Sequence, residues 1–360
     1  MKVLSLFSGI GAFEKALEKQ NIPYELVNYC EIDSYAGKAY SIIHNESEDK
    51  NLKDVCTVNV TGDIDLLVHG SPCQSVSIAG KQEGAVKGSG TRSALIYESM
   101  RIIQNTMPKV IVYENVKNLL SSKHAPVFED YLQTLENLGY KNSFKVLNSK
   151  DFGVAQNRER IFVVSVLGEQ EFVFTDHNPV RQTLKEVVEP VEDVADKYYL
   201  KDEYIQSYVI NTIQYKPENI MKVGTILGMN GHDILKRVYS QLGIAPTLTT
   251  GVTGNSIPKI IALRGRPHNG KNYQMLEPQA GDFSNTLTTF TKDNLCADGI
   301  SIRKLTPLEY FRLQGFDDND YFKLRENKFS DSQMYKMLGN SITVNVLEYI
   351  FKNLKKQNLI

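Results

Sequence analysis

The chain has 360 residues, 41% apolar and 23% charged, enough for a sizeable core and for two domains. Its formal net charge of −1 excludes a uniformly basic coat, although a local basic face for nucleic acid remains compatible with it. No apolar run reaches membrane-spanning length, and Cys30, Cys56, Cys73 and Cys296 lack CxxC spacing, so a cytoplasmic protein with free thiols and no membrane partner is expected.

The first half alternates between two periodicities. Val3–Phe7 is a short apolar run ended by Ser8-Gly9-Ile10-Gly11, after which Phe13, Ala16 and Leu17 recur at helical spacing. Glu25–Tyr29 predicts a second strand, ending at Glu31-Ile32-Asp33 and followed by a helix through Ala36, Ala39, Tyr40 and Ile43. Asp65–Val68 and Lys109–Tyr113 predict two further strands, with a helix between them through Leu95, Met100, Ile102 and Ile103. A stripe of Val127, Phe128, Tyr131, Leu132, Leu135 and Leu138 follows. Such alternation predicts an α/β domain with a largely parallel sheet and a ligand at the carboxyl ends of its strands. Beyond Gly168 the alternation stops, and scattered Gly, Pro and Asn predict an irregular, mainly β second domain. Ala245–Thr250 and Ser284–Thr289 echo one another and are expected to form related strand-turn units. Helical periodicity returns at Pro307 and again after Gly339, where Val344, Leu347, Ile350 and Phe351 form a stripe.

Several segments carry possible chemistry. Phe7-Ser8-Gly9-Ile10-Gly11 joins a strand to a helix, so it either simply connects them or lets a ligand approach free N–H groups. With Glu31 at the next strand end, able to accept from ribose hydroxyls, the pair favours an adenosine-containing cofactor. Gly70-Ser71-Pro72-Cys73-Gln74 sets a cysteine at a strand end before a glycine-rich loop, a poor place for a buried structural thiol and a suitable one for a nucleophile. Glu114 ends an apolar strand and is either capped or paired, or it handles a proton beside Cys73. In Gln156-Asn157-Arg158-Glu159-Arg160 the arginines either face solvent or aim planar donors at a phosphate or a base carbonyl.

Taken in order, these segments resemble the bacterial and phage DNA cytosine-5 methyltransferases. The match runs through Phe7–Gly11, Pro72-Cys73-Gln74, Thr91–Leu95, Glu114-Asn115-Val116, Gln156–Arg160, Arg303–Glu309 with Arg312–Phe316, and Gly339–Val344. Arg237-Val238-Tyr239-Ser240 leading to Thr247-Leu248 is similar to the family's target-recognition core. The resemblance implies a Rossmann-like catalytic domain binding S-adenosyl-L-methionine (SAM) over residues 1–170, completed by 335–360. A smaller target-recognition domain and hinge would occupy 171–334.

It further implies Cys73 as covalent nucleophile on carbon 6 of a flipped-out cytosine, with Glu114, Arg158 and Arg160 holding the base. Phe7, Ser8, Gly9, Ile10, Gly11, Glu31, Ile32, Asp54, Val55, Gly70, Pro72, Asn340 and Ser341 would hold SAM. Gln74, Ser77, Lys81, Arg92, Arg237, Tyr239, Thr249 and Thr250 would meet double-stranded DNA. No metal is implied, a monomer is the simplest expectation, and a cognate restriction endonuclease is a possible partner. The sequence departs from the family in three ways. Ile32 stands where an aromatic residue often stacks on adenine, and Ser71 where some relatives carry Phe. The acidic residue after the third strand is assigned to Asp54-Val55 rather than to Gly62-Asp63. Alternatives are a tRNA cytosine methyltransferase on the same catalytic domain, a NAD-linked oxidoreductase and a catalytically silent DNA-binding regulator.

Overall fold

A computed structural model describes residues 1–72, 95–178, 180–201, 208–210, 218–250, 257–263 and 300–360. The first sheet has the order β2-β1-β3-β4-β6-β5, formed by β1 (Lys2–Leu6), β2 (Glu25–Cys30), β3 (Leu66–His69), β4 (Val110–Val116), β5 (Tyr140–Asn148) and β6 (Glu159–Leu167). The first four strands are mutually parallel, and β6 runs antiparallel to both β4 and β5. The largely parallel expectation therefore holds, with β6 as the one strand of this sheet that runs against the others. Reversal of β6 brings its first residues to the edge where the parallel strands end.

Strands β3 and β4 are buried on both faces, which is why they appear as unbroken apolar runs. Alternate residues serve two cores. Leu66, Val68, Val110 and Val112 pack with α1 (Ala12–Lys19), α2 (Ser34–His44) and the C-terminal helix, while Leu67, Ile111 and Tyr113 pack with α3 (Ile96–Thr106) and α4 (Ala125–Asn137). A second sheet, ordered β11-β10-β9-β8-β7, comprises β7 (Tyr208–Ile210), β8 (Lys222–Ile226), β9 (Arg237–Tyr239), β10 (Lys259–Leu263) and β11 (Ile300–Lys304). Its small core contains Val223, Ile226, Met229, Val238 and Ile302, and a single helical turn, α5 (Asp233–Lys236), precedes β9.

Residues 245–250 do not form the expected strand-turn unit. They run as extended chain along residues 155–157, with Ala245 N donating to Ala155 O at 2.8 Å and Asn157 N to Ala245 O at 2.9 Å. The second copy, 284–289, lies outside the described residues.

Four helices close the chain: α6 (Pro307–Leu313), α7 (Asp318–Glu326), α8 (Asp331–Asn340) and α9 (Val344–Lys356). Helices α6 and α8 start at capping boxes, Thr306 with Glu309 and Ser330 with Gln333. The apolar stripe of α9 packs into the core shared with α1. Helices α6 and α7, expected in the second domain, also contribute Leu313 and Leu324 to that core. Lys15 of α1 pairs with Asp320 of α7 at 3.0 Å. Among the described residues, no helix is long and apolar enough to cross a membrane.

The second sheet is tied to these helices by a buried ion pair. Arg303 at the end of β11 donates to both oxygens of Glu309, at 2.9 and 2.6 Å. Glu309 also accepts from the backbone N–H groups of Thr306 and Glu189. Removal of one partner leaves a charge buried without compensation. Glu309→Ala is therefore expected to lower stability by about 3–5 kcal/mol in urea unfolding. A loss below about 1 kcal/mol, the value of a surface pair, would show the bridge to be dispensable.

Candidate active site

The turn after β1 is built from left-handed backbone. Phe7, Gly9 and Gly11 have φ of 54°, 55° and 80°, turning the chain from strand into α1 within five residues. Ser8 is buried, its hydroxyl donating to Ser5 O at 3.1 Å and accepting from Cys30 N at 3.3 Å, which fastens the turn to β2. Glu31 completes the fastening by accepting from Gly9 N and Asp33 N, both at 2.8 Å. Burial pushes the Glu31 carboxyl up, and those two N–H groups pull it back. A Cβ on Gly9 would meet nothing within 4 Å, so this face of the turn is open to a ligand. Ile10 points into the core at 1% exposure, so any ligand contact from it comes through its backbone.

Ile32, Asp54 and Val55, also expected at the cofactor, lie after the end of β2. Ile32 is 73% exposed beside Glu31. Asp54 accepts from Cys56 N at 3.0 Å, and Val55 is buried beneath it. This segment is drawn to the end of β2 by Cys30 Sγ, 2.9 Å from Lys53 O. Across the mouth, Lys336 of α8 pairs with Asp33 at 2.5 Å. Asn340, the exposed last residue of α8, and the buried Ser341 follow it.

The carboxyl ends of β3 and β4 form a second constellation. An ideal Cβ on Gly70 would lie 3.5 Å from Glu114 Oε2 and from Ile342 Cδ1, so the chain passes in ordinary contact distance of both. Ser71 and Pro72 follow; Cys73, Gln74, Ser77, Lys81 and Arg92 lie outside the described residues. Glu114 and Arg160 are diagonal neighbours on one face of the antiparallel ladder, where Val116 pairs with Arg160 and Glu114 with Phe162. Their side chains meet with Arg160 Nε 3.1 Å from Glu114 Oε1. Burial pushes the Glu114 carboxyl up, opposed first by Arg160 and then by Arg158.

Arg158 has a different orientation. It is buried, and its Nη2 donates to the carbonyls of Ser341 at 2.7 Å and Gly339 at 3.3 Å. The expected sharing of base contact between Arg158 and Arg160 is thus not what this geometry favours. Arg158 joins the start of β6 to the end of α8 and lends its charge to Glu114.

Sequence reasoning also passed over a polar network at the ends of β3 and β4. Asn115 Nδ2 donates to Tyr113 Oη at 2.6 Å and to Ser71 O at 3.2 Å, and Ser71 Oγ is 3.3 Å from Tyr113 Oη. His69 stacks on Tyr113 with ring centroids 4.4 Å apart and hydrogen-bonds Tyr131 Oη at 2.9 Å. Burial drops the His69 pKa to about 3, so this ring is neutral. The signal available in sequence was the interruption of two apolar strands by His69, Tyr113 and Asn115 immediately before loops.

The C-5 cytosine-specific DNA methylase family model matches residues 1–356. The chain belongs to that family. Among curated relatives, the orphan methyltransferase M.SPBetaI of Bacillus phage SPbeta is 33% identical, the alignment covering 98% of this chain and 97% of the relative. The type II methyltransferase M.HhaI of Haemophilus parahaemolyticus is 30% identical over 98% of this chain and 94% of that protein. Two solved structures share the fold across almost their whole lengths. The Entamoeba histolytica methyltransferase EhMeth superposes with a TM-score of 0.69 at 18% identity, covering 99% of this chain and 98% of that one. The S. pombe Dnmt2 methyltransferase gives 0.66 at 21% identity, covering 99% of both chains. The protein is thus a DNA cytosine-5 methyltransferase with a Rossmann-like catalytic fold.

For an enzyme of this family, the expected DNA contacts sort into three positions. Arg237 is half-buried at the start of β9, donating to Asp233 at 2.8 Å. Tyr239 is buried at 3% exposure, with Arg237 hydrogen-bonded to it, so its ring contributes to packing rather than to an open reading face. Thr249 and Thr250 lie against the end of α8, where a Cβ on Gly339 would come within 2.5 Å of the Thr249 backbone. This second pair therefore sits at the junction of the two sheets, beside the carbonyls held by Arg158. A side chain at 339 would wedge the junction apart. Gly339→Ala is expected to cost about 1–3 kcal/mol, measured by thermal or urea unfolding. Unchanged stability would mean that residues 249–250 are not seated on α8.

Proposed function

We propose that the protein methylates carbon 5 of cytosine at a specific site in double-stranded DNA, using SAM and a transient covalent bond from Cys73. The observation that carries this reading is the pairing of the buried Glu114 with the half-buried Arg160 beside Gly70, at the strand end from which the chain leads into Pro72-Cys73. A ring placed there meets a carboxyl group and a guanidinium, one able to accept and the other to donate.

The residues at the first edge fit SAM. Open space in front of Gly9, the α1 N-terminus and a half-buried carboxyl group at the end of β2 suit a nucleoside with a charged tail. Each Glu31 oxygen already accepts one backbone N–H and retains lone-pair capacity for a ribose hydroxyl. The exposed Ile32 offers an apolar face for adenine. When bound, SAM supplies an electrophilic methyl group.

The chain's own residues do the rest. Cytosine carbon 5 is a weak nucleophile, and addition of the Cys73 thiolate to carbon 6 turns it into an enamine-like one. Glu114, pushed up by burial, can carry the proton shared with ring N3 and accept from the exocyclic amine as charge develops. Arg160 keeps that carboxyl oriented and donates toward the carbonyl at carbon 2. After transfer, loss of the carbon-5 proton to a base expels Cys73 and restores the ring. None of this is reachable inside a duplex, so the cytosine must leave the stack, as it does for methyltransferases and other enzymes that do chemistry on a base. Residues 171–334 would read the flanking sequence. The biological setting is either a restriction–modification pair with a cognate endonuclease or phage self-protection.

The covalent step can be trapped. A duplex carrying 5-fluorocytosine has no carbon-5 proton to lose, so the wild-type protein with SAM is expected to form a complex that survives denaturation. Cys73→Ala should form none while still binding SAM; a denaturation-stable complex from that variant would exclude Cys73 as nucleophile. Glu114→Gln should lower kcat by about 10²–10³ with little change in SAM affinity, the typical cost of removing one group that stabilises developing charge. A loss under threefold would remove Glu114 from the chemistry.

A further inference from the structure

The segment from Asn51 to Val58 follows β2 and α2 and carries Asp54 and Val55, two of the residues expected at SAM. Its regular structure is slight: one bridge from Asn51 to Tyr29 and a three-residue helical turn, Val55–Thr57. The first half is tied to the end of β2. Asn51 accepts from Glu31 N at 3.0 Å and donates to Glu31 O at 3.1 Å, Leu52 N donates to Tyr29 O at 2.8 Å, and Cys30 Sγ lies 2.9 Å from Lys53 O. The second half leaves β2, and its buried carbonyls need partners from another element.

Arg101, the sixth residue of α3, supplies them. Its Nη1 donates to Val58 O at 2.9 Å and its Nη2 to Val55 O at 3.1 Å. Nε donates to Glu98 Oε2, one turn earlier on the same helix, at 2.8 Å. Glu98 thus balances the charge and fixes the plane of the guanidinium, while both terminal nitrogens point at main chain. Apolar packing also holds this region, because Val55 and Val58 share a core with Met100, Ile102 and Ile103. Such packing is non-directional and does not by itself orient a turn. The guanidinium does, because it brackets the turn at two carbonyls three residues apart. Asp54 caps that same turn, its side chain accepting from Cys56 N at 3.0 Å and its carbonyl from Thr57 N at 3.0 Å.

We propose that Arg101 is a positioning residue for the cofactor, setting the orientation of the Val55–Thr57 turn and so the Asp54-Val55 face presented to SAM. The inference rests on reading residues 54–55 as part of the SAM site. These three donors end on the turn and on α3 itself, so their loss should fall on cofactor affinity rather than on the step carried by Cys73, Glu114 and Arg160. Lysine would not replace the arginine fully, since a single ammonium on a flexible stem lacks the planar fork that reaches both carbonyls.

The test is calorimetric SAM binding together with KM for SAM and kcat on duplex DNA, for the wild type, Arg101→Ala, Arg101→Lys and Asp54→Ala. Arg101→Ala is expected to raise Kd and KM for SAM together by about tenfold or more, the value of one charge-assisted hydrogen bond, with kcat at saturating SAM unchanged. Arg101→Lys should show a smaller rise in both. The lysine variant keeps the charge and the apolar stem, so it decides the matter should Arg101→Ala fail to fold. Wild-type SAM affinity in Arg101→Lys, or a fall in kcat equal to the fall in kcat/KM in either variant, overturns the positioning role. Weakened SAM binding by Asp54→Ala beside unaffected Arg101 variants overturns that role alone. Wild-type SAM affinity in Asp54→Ala overturns the cofactor reading of this turn and the role of Arg101 with it.

Discussion

The antiparallel insertion of β6 beside β4 is the constraint on which the catalytic edge depends. Were β6 parallel to its neighbour, Arg160 would start that strand at the opposite end of the sheet, a strand length from Glu114. Reversal places the two side chains diagonally on one face at 3.1 Å and gives the buried Glu114 a half-buried arginine partner at the end of an otherwise apolar sheet. A buried carboxyl group without that guanidinium would be far costlier to keep ionised. The pair therefore explains how a charged residue can stand at the end of Val110–Val116.

A second layer of contacts holds this edge against the returning C-terminus. Gln156 donates to Leu313 O at 2.7 Å and accepts from Leu248 N at 3.2 Å, and Arg158 reaches the carbonyls of 339 and 341. Ser149 donates to Thr343 at 2.8 Å, and Gln314 Nε2 to Leu338 O at 2.6 Å. Every one of these side chains is buried. Residues separated by up to 194 positions thus share one polar seam, which couples the cofactor mouth, the base-holding pair and the junction with the second sheet. The polar residues of the Gln156–Arg160 motif act mostly on the protein itself, and Arg160 alone turns toward Glu114.

Much of this was legible in the sequence, for physical reasons that differ from place to place. Strands buried on both faces announce themselves as apolar runs, and the turn after β1 announces itself through glycines that must take positive φ. Strand direction is not written locally, so the reversal of β6 needed the fold. Helix α7 was hidden because Asp318–Glu326 carries few apolar residues and is held by its capping box and ion pairs. The duties of Arg158 and Tyr239 depend on partners and burial that no spacing encodes.

The most direct test is transfer of labelled methyl from SAM to unmethylated bacterial DNA by the intact protein, with base-resolution mapping of 5-methylcytosine. Label confined to cytosines in one short duplex context is the predicted result. Label in tRNA but not in DNA, or in neither, would contradict it.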